Sequence, residues 1–241
     1  MRRVMMVFVH VAVAVLSLLS VGQSAPVTSC ESLIQQIEIQ GRDQLLGKWM
    51  SIAESTNVAA FKLLTEMFAE TCWVKITTAK ENNAIDVFQA QKMSGRCFTL
   101  TSKMTLENNT LSMVHPFSVS EVFLRSGCPD CLVLQAKYTI GRSTYTGLQL
   151  LSRRAKVTAA EMEEFKKQVE CLNLLPPTIL DPEKGFCPDE STIKGTGTID
   201  LTDVSNHMNS ESVSLLENVI NSGGEMLVET ISSRMAGLKE N

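Results

Sequence analysis

Between Gly47 and Ser152 the chain breaks into eight short runs of β-type residues, most of them separated by hairpin-sized turns. The runs are Gly47–Ala53, Cys72–Thr78, Ala84–Gln91, Arg96–Met104, Thr110–Pro116, Ser120–Arg125, Cys131–Tyr138 and Tyr145–Ser152. Glu81-Asn82-Asn83, Ser94-Gly95, Asn108-Asn109, Gly127 to Asp130 and Gly141 to Ser143 supply the reversals, since Asn and Gly tolerate the backbone angles of tight turns. Eight strands in this spacing predict an all-β chain closed into an up-and-down antiparallel barrel. A barrel of that size either fills itself with side chains or holds one small ligand.

Alternation along the strands assigns the faces. In Cys131–Tyr138 the apolar set is Leu132, Leu134, Ala136 and Tyr138, which leaves Gln135 and Lys137 for solvent. If Cys97 bonds a segment outside the barrel, then Phe98, Leu100, Ser102 and Met104 point inward. Val87 and Gln89, and then Tyr145, Gln149 and Leu151, follow by the same parity. The candidate ligand-binding set is therefore Val87, Gln89, Phe98, Leu100, Leu134, Tyr138, Tyr145 and Gln149, an apolar lining with a few amide and hydroxyl groups. The alternative for each of these is ordinary packed core. No inward carboxylate is identified, so a site tuned to a strongly cationic toxin is not predicted. Nor does the uncharged Phe98–Met104 face suggest a phosphate clamp.

The link from Glu54 to Thr71 is longer than a turn and carries a short helix around Phe61–Phe68, placed to cover an open barrel mouth. After the last strand, Thr158-Ala159-Ala160-Glu161 is a capping box that starts a helix. Met162, Phe165, Val169 and Leu172 form its apolar stripe, and Glu163 pairs with Lys167 on the wet side. That helix is expected on the barrel wall. Beyond Cys187 the composition turns to Ser, Thr, Gly and Asn, marking a domain edge. Val213, Leu216, Val219 and Ile220, then Leu227, Val228, Ile231, Met235 and Leu238, have helical spacing broken at Gly223-Gly224. Two short amphipathic helices or a partly disordered tail both fit, and packing on the barrel, self-association or attachment to a lipoprotein particle are the roles they could serve.

At the other end, Arg2 and Arg3 precede an apolar run from Val4 to Leu19 and a small, polar stretch to Ala25. This is the pattern of a secretion signal cut before Ala25, the alternative being a retained segment that serves as a lipid anchor. The expected organisation is residues 1–24 as signal peptide, 25–190 as barrel domain and 191–241 as a Ser/Gly-rich extension. Without Arg2 and Arg3, the remaining basic residues face 26 acidic ones and leave a net charge of about −6, which gives no support to nucleic-acid binding. An extracellular destination also means that the seven cysteines form disulfides, and an odd count leaves one thiol over. Cys128-Pro129-Asp130-Cys131 lies in a turn between strands and is read as a local or structural disulfide rather than a redox motif. A zinc site needs about four Cys or His ligands, and only His115 and His207 follow the signal. No metal or cofactor is expected. Asn108-Asn109-Thr110 is a glycosylation sequon in a predicted turn, with Asn108 the acceptor.

Gly47-Lys48-Trp49 on the first strand, the eight strands, Arg153 after the last one and the single late helix together resemble the lipocalins. The resemblance runs from about Cys30 to Pro188 and implies that Trp49 plugs the closed barrel end under a stacked Arg153. Arg154 is the neighbour that could take that place if the register were shifted by one. The segment Glu163 to Leu172, with Cys97 and Cys187, is similar to the alpha-1-acid glycoprotein and apolipoprotein M branch, and within it to fish saxitoxin/tetrodotoxin-binding and tributyltin-binding carriers. That branch implies disulfides Cys30–Cys171 and Cys97–Cys187. Pro129-Asp130-Cys131 stands where lipocalins often have Thr-Asp-Tyr, and Cys72, Cys128 and Cys131 exceed the shared bridges.

The function implied is a secreted, non-enzymatic carrier of a small lipophilic or amphipathic ligand. Two other classes are carried beside it. A lipocalin-type isomerase or Cys-dependent enzyme would need an activated thiol in the barrel, for which Cys72 is the candidate, without a histidine clearly placed to serve it. An interaction protein would use the tail or the odd thiol to bind a lipoprotein or a second chain.

Overall fold

A computed structural model of the chain describes residues 29–190 and 198–221. The secretion signal and the helical pattern from Leu227 to Leu238 lie outside the described residues. Eight antiparallel strands close into a barrel: β1 (Gly47–Thr56), β2 (Ala69–Thr78), β3 (Ala84–Met93), β4 (Arg96–Glu107), β5 (Thr110–Met113), β6 (Ser118–Leu124), β7 (Cys131–Ile140) and β8 (Ser143–Ser152). Each pairs with the next, and β1 pairs with β8 to complete the ring. Positive φ angles at Ser94, Gly95, Asn108, Asn109 and Gly141 show the turn residues in the conformations their chemistry favours. Before the barrel lies α1 (Cys30–Leu33); α2 (Ala59–Phe68) spans the β1–β2 link, and α3 (Ala159–Cys171) follows β8.

Several boundaries move from the sequence expectation. β5 ends at Met113 rather than Pro116, in keeping with a proline that has no N–H to give a ladder. β1 continues to Thr56 because it has partners on that stretch in both β8 and a two-residue strand, β9 (Thr178–Ile179). Its register shifts between Ser51 and Ala53, where Ile52 is the extra residue of a bulge. Side-chain parity therefore reverses within β1. Trp49 faces the interior with Val74, Ile76 and Leu151, whereas Ile52 and Ala53 turn out against α3.

The barrel is packed on both sides of its wall. Inside, Leu45, Trp49, Ile85, Leu111 and Phe123 fill the closed end. Outside, Phe165 and Val169 of α3 bury against Ile52, Leu124, Val133, Leu148 and Leu150. The capping box is present as read, with Thr158 Oγ1 accepting from Glu161 N at 3.3 Å and Glu161 Oε2 accepting from Thr158 N at 2.6 Å. Gln168 is the buried polar residue of this helix, and its amide donates to the carbonyls of Leu33 at 2.9 Å and Arg125 at 2.7 Å. It thereby satisfies one acceptor at the end of α1 and one just past β6 that the wall strands leave open.

Disulfides join Cys30 to Cys171, Cys97 to Cys187, and Cys128 to Cys131, leaving Cys72 as the free, buried thiol. The first two are the pairs implied by the resemblance, and the third is the local bridge read from the turn. Cys187 covers Trp73, an outward residue of β2 only 1% exposed, whose Nε1 donates to the Cys187 carbonyl at 2.9 Å. Replacing Cys97 and Cys187 together by alanine is expected to lower stability by about 2–5 kcal/mol. A urea denaturation midpoint compared with that of the oxidised wild type measures it.

Past Cys187 the chain adds β10 (Thr198–Asp200), parallel to the start of β4, then α4 (Thr202–Asn206) and α5 (Ser210–Asn221). Neither β9, β10 nor α4 carries a sequence signal of its own. α5 is the amphipathic helix predicted from Val213, Leu216 and Ile220, and these residues pack on the barrel.

Candidate functional site: a cavity in the barrel

The end of the barrel that carries Trp49 is shut by aromatic and cationic groups. Trp49 Nε1 donates to Leu45 O at 2.7 Å, and the Arg153 guanidinium lies 3.4 Å from the ring centroid. Arg153 also donates to Lys48 O at 2.9 Å and Leu46 O at 2.6 Å. Gly47, at φ +99°, leaves the room this needs, because a Cβ there would come within 2.9 Å of Arg153 Nη1. Arg154 does not compete for the ring. Its guanidinium is engaged by Asp130 at 2.7 Å and Glu161 at 2.9 Å.

Toward the opposite end the interior opens into a cavity of about 400 Å³, a size that suits a small organic molecule. Its walls come from β1, β3, β6, β7 and β8, and α2 and α5 cover it with Phe61, Leu64 and Leu216. Leu134, Tyr138 and Gln149 of the expected set line this space. The others lie elsewhere. Val87 packs into the closed-end core, Gln89 pairs in register with Val74 of β2 and Leu100 of β4, and Phe98 sits on β4 opposite Gln91. Tyr145 belongs to the mouth, in edge contact with Phe61 at 6.2 Å and donating to Asn221 Oδ1 at 3.0 Å. Asn108, the sequon residue, is exposed in the β4–β5 turn.

The sequence reading missed the two acidic residues that line the cavity, Glu54 and Glu121. Glu54 faces in because the bulge at Ile52 reverses the parity set by Trp49, which pairs Glu54 with the inward Gln149. Glu121 faces in between Val119 and Phe123 on β6. The signal was obscured there because Val122 and Leu124 are also apolar, being covered by the outer layer beneath α3. An apolar strand on both faces has no alternation to read.

Neither carboxylate has a cation beside it among the described residues. Glu54 Oε1 accepts from Thr65 Oγ1 of α2 at 2.6 Å. Burial raises its pKa, and the Thr65 bond only partly opposes that. Glu121 is pushed up to about 7 by burial. Tyr138 is raised as well, by burial first and then by the fields of Glu121 and Glu54, which places these three groups within electrostatic reach of one another. The one lysine on the lining, Lys62, is already paired with Glu66 on its own helix. The result is an apolar chamber with an under-solvated acidic wall, whose carboxyls burial makes harder to ionise.

Other chemistry in the barrel is muted. The Cys72 thiol is pushed up to about 12 by burial and by Glu54, far from an activated nucleophile. His115 and His207 are both exposed, so neither lies in the interior beside it. Cys128, Asp130 and Cys131 cluster closely, but the two sulfurs bond each other and Asp130 holds Arg154.

No protein-family model matches the chain, and no curated protein does. Among solved structures, a siderocalin, Ex-FABP, described as functioning through dual ligand specificities, is similar with a TM-score of 0.51 at 16% identity, over 61% of this chain and 99% of that one. The bovine lipocalin allergen Bos d 2 gives 0.50 at 13% identity over 63% and 100%. An odorant-binding protein, OBP1, gives 0.51 at 13% identity over 64% and 99%. With its closed eight-stranded ring and outer helix, the chain has the lipocalin fold. More than a third of its length lies beyond these matches.

Proposed function

We propose that this protein is a secreted, non-enzymatic carrier whose cargo is a small amphipathic molecule with an apolar body and a positively charged or donor-rich head. The observation that carries the reading is the cavity itself: about 400 Å³ of mostly apolar lining with Glu54 and Glu121 facing it and, among the described residues, no cation paired with either. Burying the cargo's apolar surface would supply about 25 cal/mol per Å², less the cost of ordering it. A cationic head would restore to Glu121 the solvation that burial removes. Tyr138 and Gln149 supply hydrogen bonds for orientation. Secretion is supported by three disulfides and by the signal-like amino terminus. The resemblance to fish toxin and organotin carriers is compatible with a cationic cargo, and xenobiotics and lipid amines share the same chemistry.

The unreactive Cys72 supports a carrier over an enzyme. The apolar face of α5, spent on the barrel, supports it over a tail that docks on lipoproteins. Native mass spectrometry of the protein secreted from cells of its own source is expected to show one bound organic molecule per chain, released on unfolding. An empty protein that also fails to take up hydrophobic amines would contradict the carrier reading.

A further inference from the structure

The mouth of the cavity is covered by two helices that are held in different ways. α2 is continuous at its ends with β1 and β2, only Asn57 and Val58 intervening, so barrel strands anchor it on both sides. α5 comes from the carboxy-terminal extension and meets the barrel through side chains. Its apolar residues Val213, Leu216 and Ile220 pack with Val58, Ile140 and Tyr145, and Leu216 reaches the cavity lining. Its polar grip is local. Glu217 Oε1 accepts from Arg142 N at 2.9 Å in the β7–β8 turn and from Ser143 Oγ at 2.7 Å at the start of β8. Gly141 makes the landing place, since a Cβ there would collide with the Glu217 carboxylate.

Upstream, the same extension is fastened through its backbone. β10 pairs in parallel with residues 97–99 of β4, Leu201 N donates to Thr99 O at 2.8 Å, and Thr101 N donates to Thr202 Oγ1 at 3.0 Å. Backbone pairing at one end and side-chain bonds at the other, those of Glu217 to the hairpin and of Asn221 to Tyr145, give the segment a fixed root and a releasable tip.

We propose that residues 198–221 are a strap and lid for this barrel: β10 is the strap, α5 the lid, and Glu217 the latch whose release opens the cavity. The proposal rests on the carrier reading for its purpose but not for its test. Ligand then enters and leaves past α5 rather than past α2. Because the lid contributes Leu216 to the lining, it also limits the length of cargo that fits beneath it.

Two readouts on the full-length, oxidised chain test this with Glu217→Ala and Glu217→Gln. The first is stopped-flow binding and release of N-phenyl-1-naphthylamine, a neutral apolar dye that does not depend on the cavity carboxylates. The second needs no ligand: the rate at which methyl methanethiosulfonate labels Cys72, the free thiol, which sits between Ser51 and Gln91 on the interior face. Losing a charged acceptor is expected to raise dye entry, dye exit and Cys72 labelling at least about fivefold for Glu217→Ala, with the denaturation midpoint lowered only by the equivalent of that fivefold change. Glu217→Gln, which keeps an acceptor oxygen, should fall between it and wild type. Rates within twofold of wild type in both readouts would overturn the lid. If labelling accelerates while the dye never binds, the lid stands and the carrier reading fails.

Discussion

Replacing Glu121 by glutamine is expected to weaken binding of an amphipathic amine such as decylammonium by about ten- to a hundredfold at pH 8, with little change for a neutral analogue. The magnitude is that of a charged hydrogen bond in a shielded site, about 1.5–3 kcal/mol. The same substitution should act oppositely on the empty protein. The Glu121 carboxyl titrates near 4.5 when unfolded and is pushed up to about 7 in the barrel, so the folded state holds its proton more tightly. Its contribution is fully present below pH 4.5 and is lost as pH rises through 7, by at most about 3 kcal/mol. Cation affinity runs the other way, growing as the carboxyl ionises through that window. Calorimetric titrations and urea unfolding at pH 5 and pH 8 check both, and Glu121→Gln should flatten both slopes. A variant that leaves amine affinity unchanged at pH 8 would remove Glu121 from the site.

The second large effect is on the closed end of the barrel. Trp49→Ala is expected to cost about 3–5 kcal/mol, in the range found when a buried aromatic side chain is truncated. The ring is 4% exposed, packs with Val74, Ile76 and Leu151, and carries both the Leu45 hydrogen bond and the stacked Arg153. Arg153→Ala should cost less, since its guanidinium reaches solvent, and the two losses should not add, because the stacking is shared. Equilibrium denaturation of the two single variants and the double variant measures this. Ligand affinity of whatever folded protein remains should be nearly unchanged, as Trp49 is not part of the cavity lining. Losses that added fully would mean that the cation–π contact contributes nothing.

The barrel was legible in the chain because its hairpin turns carry their own chemistry. Asn108 and Asn109 adopt positive φ at the reversal, and Ser94 does so beside Gly95. The capping box at Thr158 marked the start of α3 for the same reason: a local hydrogen-bond pattern has a local sequence signature. Trp49 and Arg153 were placed by resemblance, and the geometry agrees with it. The acidic wall of the cavity was not legible. One extra residue at Ile52 carries Glu54 from the outer face to the inner, and nothing in the local sequence marks the bulge. On β6, α3 and the amino-terminal segment cover the outer face, so Val122 and Leu124 look as interior as Val119 and Phe123. The expected lining on β4, Phe98 and Leu100, faces inward beside Gln91 and Gln89, and of these four only Gln91 is among the residues that line the cavity. The course of β10 and α5 depends on contacts with strands about 75 to 100 residues earlier, such as Glu217 with Arg142 and Thr202 with Thr101, and periodicity carries no such information.

The central claim is that the interior is a ligand site with an acidic wall. Isothermal titration of the delipidated wild-type protein at pH 8 with decylammonium, beside decan-1-ol as the uncharged control, tests it most directly. One saturable site per chain is predicted, at least about tenfold tighter for the ammonium, with that preference lost in the Glu54→Gln/Glu121→Gln double variant. Equal affinity for both compounds, or no saturable binding of either, would contradict it.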